Sequence, residues 1–437
     1  MNPLAQALND QISAVNPHVT EMLSDLGANL YFPKGILSQS AEAKAKAKLY
    51  NATIGTALES GVAMNLESVM APIDGISPNE ALLYAPAGGV PELRAAWQQK
   101  IVTDNPSLAG ASMSLPIVTS GLTHGLSLLG DLFIDEGDVL LLPDKLWGNY
   151  RLIFNLRRGA DIRTFPFFAE AGFNQAAFDA TLADLAESGT KKVVVLLNFP
   201  NNPTGYAPTE AEGEAMAASL IALADQGVDV VAITDDAYFG LFYGDEPMRE
   251  SLFTKLAGKH ERLLAVKADA ATKEVFVWGL RVGFLTFSIG GEGDKTPIYD
   301  ALVAKTMGCI RSMISNCCRL SQTVVLGALN SGTFYEQRAE KIALMESRAL
   351  EVKRVLADAK YDEAWDAYPF NSGYFMCLRL KKVEAEALRV HLLDAYGIGT
   401  IAIGETDLRV AFSCLEVEQI PDVYEKIYEG WCDLAKK

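Results

Sequence analysis

The sequence predicts an α/β fold with a largely parallel sheet, and three observations carry that prediction. Residues 193–197 (VVVLL) are consecutively apolar, as in a strand buried on both faces. Similar short runs stand at 139–142, 230–233 and 263–266, each ended by proline or polar residues. Helical patterns are set around them: 40–50 (SAEAKAKAKLY) is rich in strong helix formers, and 334–359 is rich in Ala, Glu, Leu and Arg.

Composition narrows the class. The chain has 437 residues, 49% apolar and 21% charged, enough for two domains around a sizeable core. Its net charge of −17 argues against a nucleic-acid partner. No run of 18 apolar residues suggests a membrane span, and the start, MNPLAQALNDQ, lacks the basic and apolar regions of a signal peptide. A soluble cytoplasmic enzyme is the expectation. The six cysteines form no C-x-x-C pair, so reduced, buried thiols are expected. The four histidines are scattered, and no metal-ligand cluster is visible.

In chain order, Gly55 falls in a loop after the 40–50 helix. Tyr84 opens a Pro/Gly loop that runs into an amphipathic helix through Leu93 and Arg94. A short strand ends at Ser120-Gly121, and a helix begins at Leu122 or Thr123, where free N–H groups can hold a phosphate. Pro143 ends the next strand, and Trp147 follows at its edge, where an indole can stack on a planar ring. The turn after 193–197 contains Pro200, Asn202, Pro203 and Gly205, with Asn202-Pro203 a candidate cis bond. Asp235 and Asp236 follow the run 230–233, at the strand edge where open α/β sheets bind ligands. Lys273 sits among small residues past the next strand. Burial there would lower its pKa and make it a candidate Schiff-base nucleophile. Arg281 lies eight residues on, flanked by Gly279 and Gly283, and suits a phosphate. Residues 288–297 are not a P-loop, because Asp294 stands where glycine should precede the lysine. Arg409 lies in an alternating, strand-like segment.

Taken together, NNPTG (201–205), D-x-A-Y (235–238), K-x7-R (273–281) and the late Arg409 resemble the class I/II aminotransferases. The aspartate and aromatic enzymes are closest in motif. The resemblance runs from about Tyr50 to the end. It implies fold type I: a mostly parallel, seven-stranded large domain with helices on both faces, and a smaller α/β domain from both chain ends. The implied boundaries are 1–65 and 333–437 for the small domain and 66–332 for the large one. The implied cofactor is pyridoxal 5'-phosphate (PLP), on Lys273. Asp235 would pair with its ring nitrogen, Tyr238 and Asn202 with its 3'-oxygen, and Trp147 would stack on the ring. Arg281, Thr272, Leu122 and Thr123 would hold the phosphate, with Tyr84 reaching in from a partner subunit. Arg409 would bind the substrate α-carboxylate, Gly55 would lie over the substrate, and Arg311 from the partner would bind a distal carboxylate.

Three positions depart from the family pattern. Ala270 stands where a serine is usual, Phe199 where the NPxNPTG motif begins with asparagine, and Cys317-Cys318 replace a proline pair. The expected activity is ping-pong transfer of an amino group between an L-amino acid, dicarboxylic or aromatic, and a 2-oxo acid, in a homodimer. Lys273 would shuttle the α-proton, with Asp235 and Tyr238 completing the catalytic set. The same scaffold also supports a carbon–sulfur β-lyase or decarboxylase. A PLP-binding regulatory module is disfavoured, since no basic DNA-binding segment precedes Tyr50.

Overall fold

The computed structural model describes residues 1–31, 35–170 and 172–436. Its centre is a seven-stranded sheet. In chain order the strands are β1 (Ile117–Thr119), β2 (Val139–Pro143), β3 (Asp161–Phe165), β4 (Lys192–Asn198), β5 (Asp229–Asp235), β6 (Leu263–Ala270) and β7 (Gly283–Ile289). Across the sheet the order is β1-β7-β6-β5-β4-β2-β3. Only β7 runs antiparallel to its neighbours. The apolar runs become its inner strands because both of their faces are covered: residues 193–198 and 230–235 are all buried.

Four helices matter for the site. These are α1 (Pro91–Asp104), α2 (Leu122–Phe133), the single turn α3 (Ala271–Glu274) and α4 (Thr296–Met313). A fifth, α5 (Phe334–Leu356), leads into the C-terminal part. There a four-stranded antiparallel sheet is formed by β8 (Trp365–Ala367), β9 (Met376–Leu380), β10 (Ile401–Ile403) and β11 (Asp407–Val410). Tyr50–Asn51 pairs in parallel with Ile398–Gly399, which ties N-terminal residues to this C-terminal part.

Two local expectations change. The strand expected at 263–266 continues to Ala270, because β7 pairs with it as far as Ala270↔Gly283. Its polar residues Lys267 and Asp269 tolerate burial because Lys267 pairs with Asp236 and lies 3.4 Å from Asp269. The cis peptide bond is Phe199-Pro200, three residues before the expected Asn202-Pro203.

Register brings the chemistry together. Asp235 lies opposite Asn198 on one side and Ala268 on the other, so β4, β5 and β6 end at nearly the same level. Lys273 follows β6 directly on α3. The C-terminal edge of the sheet therefore carries Asn198, Asp235 and Lys273 side by side, as ligand sites of open α/β sheets do.

Candidate active site

A cavity of about 320 Å³ opens at this edge. Asp235, Tyr238, Thr272, Lys273 and Arg281 line it from the sheet and the loops that follow. Leu122, Thr123 and Trp147 contribute from the α2 and β2 side. Gly55, Asn202 and Arg409 close it from the other side. Tyr84 and Arg311 do not line it. Tyr84 is 88% exposed. Arg311 is exposed near the end of α4, where its Nη1 donates to the Ser315 hydroxyl.

Asp235 is buried, not solvated. Its Oδ2 accepts from the Tyr150 hydroxyl at 2.6 Å. Its Oδ1 accepts from the Ala237 N–H at 3.1 Å and from Asn198 Nδ2 at 3.2 Å. Burial holds the carboxyl above the usual aspartate range, while these donors and the nearby Lys273 charge favour ionisation. Asp236, next in sequence, turns away from the cavity. It pairs with Lys267 and accepts from the Ser251 hydroxyl at 2.6 Å, so its role is in the core.

Lys273 is half-buried as a residue, with its Nζ 4.7 Å from the centre of the Tyr238 ring. Burial pushes the amine down to about 8; Asp235 opposes the shift and Arg281 adds to it. Burial likewise raises the Tyr238 phenol above its ordinary range. A side chain at position 55 would meet Phe375 at 3.2 Å and the Tyr238 hydroxyl at 3.4 Å. Glycine there keeps the space beside Tyr238 open.

The anion corner is built by close approach. Gly121 precedes α2 with φ 74°, a conformation that favours glycine. A Cβ there would lie 2.3 Å from Arg281 Nη2, so only glycine lets this guanidinium reach the start of α2. Arg281 itself sits at φ 54°, with Nη1 donating to the Trp278 carbonyl at 3.2 Å. The Thr272 hydroxyl on the same cavity is buried without a partner among the described residues. His124 packs nearby: its Nδ1 accepts from the Ser120 N–H at 3.0 Å, and burial lowers its pKa.

Arg409 is 1% exposed and sits on β11. Nη1 donates to Asn202 Oδ1 at 2.9 Å and Nη2 to the Thr53 carbonyl at 2.7 Å. Its guanidinium carbon lies 4.0 Å from the centre of the Phe375 ring, and its buried Nε has no partner among the described residues. The group is fixed in place and still has N–H capacity to spare.

This donor set fits PLP. A buried carboxylate, a lysine with a depressed pKa, an unpaired hydroxyl and a guanidinium at a helix start share one cavity. Sequence reasoning missed Tyr150, Trp278, Phe375, Ile36 and Ile54, which also line it. Tyr150 had a weak signal, lying three residues after Trp147 in a turn closed by Tyr150 N–H to Trp147 O at 3.0 Å. Ile36 and Ile54 carry no local signal, because the chain reaches the cavity there only through the tertiary fold.

Comparison with known proteins follows the same lines. The profile of the family described as "Aminotransferase class I and II" matches residues 65–427. The probable aspartate/prephenate aminotransferase of Aquifex aeolicus is 28% identical over 205 residues, 46% of this chain and 48% of that protein. The aspartate aminotransferase of Geobacillus stearothermophilus is 30% identical over 162 residues, 37% of this chain and 38% of that protein. The chain thus spans about half or less of the length of these curated relatives. An aminotransferase crystal structure from Anaerococcus prevotii superposes with a TM-score of 0.82 at 24% identity, covering 94% of this chain and 99% of that one. That likeness concerns the fold.

Proposed function

The chain belongs to the class I and II aminotransferase family, and from that premise we propose that it is a PLP-dependent aminotransferase. It would move an amino group between an L-amino acid and a 2-oxo acid. The observation that carries this reading is one cavity holding Lys273 beside Asp235 and Arg409, the last two buried and fixed by hydrogen bonds.

In this reading Arg281, Thr272 and the N–H groups of Leu122 and Thr123 hold the cofactor phosphate. Trp147 would cover the ring, and Tyr238 and Asn202 would serve its 3'-oxygen. When bound, PLP supplies a cationic ring that withdraws electrons from the carbon bearing the amine. Asp235 holds the proton on the ring nitrogen, and that cation in turn favours the ionised carboxylate against the pull of burial. Lys273 carries the cofactor between turnovers. As a free amine, Lys273 would act as general base and then general acid toward the substrate α-proton. Its pKa of about 8 suits both tasks near neutral pH, since neither form is rare. Arg409 binds the α-carboxylate through its uncommitted N–H groups.

Substrate choice is supported from two sides. The relatives' names include aspartate, which favours a dicarboxylic donor. The walls contributed by Ile36, Ile54 and Phe375 suit an aromatic or apolar side chain. Tyr84 and Arg311 would serve the site of a second subunit in a homodimer. Six free cysteines support a reducing, cytoplasmic setting. No helix among the described residues is long and apolar enough to cross a membrane.

The test is a half-reaction with each amino donor, followed by the cofactor's absorbance. Stoichiometric 2-oxo acid and pyridoxamine phosphate are expected. Release of ammonia or carbon dioxide with PLP left unchanged would replace transamination with a lyase or decarboxylase. The apoprotein offers a second check. Acylation of Lys273 requires the neutral amine, so its rate should climb with pH and level off above about 8, rather than above 10.5 as for free lysine.

A further inference from the structure

Glu274 follows Lys273 on α3, and its side chain leaves the cavity for the core. It is 2% exposed, so its charge must be met inside the protein. Lys100 of α1 meets it at 2.6 Å and also donates to Asp104 at 2.7 Å. Arg338 of α5 closes the group with two bonds to Asp104, at 2.9 and 3.1 Å, and one to Glu274 at 3.5 Å. Two cations and two acids thus form a charge-balanced cluster behind the site, and none of the four lines the cavity.

The cluster has a mechanical consequence for α3. This helix is one turn long and has no side-chain cap, so it holds little stability of its own. Backbone ties fasten it at the Ala271 N–H, to Val282 O at 3.1 Å, and at the Lys273 carbonyl, which accepts from the Tyr374 hydroxyl at 3.0 Å. Of its side chains, Glu274 is the one hydrogen-bonded among the described residues, and it reaches both α1 and α5.

We propose that Glu274 and Lys100 are positioning residues for Lys273, bracing from behind the turn that carries it. The proposal rests on the reading of Lys273 as the cofactor-bearing amine. A reacting group misplaced by about 1 Å can lose about a hundredfold in rate, so a brace here acts on turnover without touching the substrate.

The test uses Glu274→Gln and the paired variant Lys100→Met with Glu274→Gln. The pair leaves Asp104 and Arg338 as a balanced partnership, so it remains informative if the single variant does not fold. Amide hydrogen exchange of residues 271–277 is measured in the apoprotein, and kcat and KM in the holoenzyme. In the folded paired variant, exchange of this segment should rise at least about tenfold while β5 and β6 stay protected. Turnover should fall at least about tenfold with KM within about twofold. Unchanged exchange would overturn the proposal. Faster exchange with kcat retained would also overturn it, because the cluster would then be structural only. If the aminotransferase reading itself fails, even the unaltered protein gives no turnover, and the exchange measurement still decides whether the brace exists.

Discussion

Arg409 and Arg311 are both matched by motif to substrate carboxylates, and the fold treats them in opposite ways. Arg409 is buried on a sheet strand, bonded to Asn202 and Thr53 and packed against Phe375. Arg311 stands exposed near the end of a helix, bonded to a neighbouring serine. Asp235 shares the first environment, Lys273 lines the same cavity, and Tyr84 shares the second. In the proposed reading, the buried groups are those needed by every substrate, and setting them before binding would avoid an ordering cost at each turnover. Groups left at the surface remain incomplete until something outside the chain arrives. In the homodimer proposed above, that is the neighbouring subunit.

The largest effects should come from the buried set. Lys273→Ala should abolish the PLP adduct trapped by borohydride and cut turnover by at least about 10²–10⁴-fold, the usual worth of a positioned acid–base group. A variant that still traps PLP would remove Lys273 from the centre of the site. Asp235→Ala should lower turnover on the order of 10²–10³-fold with modest loss of stability. Its neighbour should behave the other way round. Asp236→Ala takes from the buried Lys267 its close partner and leaves Asp269 at 3.4 Å, and should cost about 3 kcal/mol of stability in thermal unfolding. Its turnover should stay well above that of Asp235→Ala. If the two carboxylates exchange these roles, the D-x-A-Y assignment is shifted by one residue.

The contrast between buried and exposed groups also marks what sequence could show. The parallel core was visible because strands covered on both faces cannot alternate, as in 193–197 and 230–233. The placement of Lys273 and Asp235 was visible because Asp235 closes a strand and Lys273 lies just past the end of the next one. Long-range partners were not. Tyr150 reaches Asp235 across 85 positions, and Lys100 reaches Glu274 across 174. No local pattern encodes such pairings. The extension of β6 through Lys267 and Asp269 was hidden for the same reason, since charged residues read as a strand's end unless their buried partners are known.

Arg409→Ala tests the common anchor. Losing charge-assisted bonds to the α-carboxylate should cost about 1.5–3 kcal/mol or more in kcat/KM for every donor. Arg409→Lys should recover little, because an ammonium cannot reproduce the fork geometry that grips Asn202, Thr53 and a carboxylate together.

The smallest and most selective effect belongs to Arg311. If it completes a partner's site, Arg311→Ala should weaken aspartate by about 1.5–3 kcal/mol in kcat/KM, the worth of one charge-assisted pair. Phenylalanine and alanine have no distal carboxylate and should be spared. An exposed arginine with one serine contact can swing aside for an aromatic ring at little cost, since a long flexible stem lets the charge stay in water. The measurement is kcat/KM for aspartate, phenylalanine and alanine in the unaltered protein, Arg311→Ala and Arg409→Ala. Equal losses on all three donors for Arg311→Ala would make it a structural residue and end the dicarboxylate reading. A loss confined to aspartate would show that the exposed group reads the substrate, while the buried one only holds it.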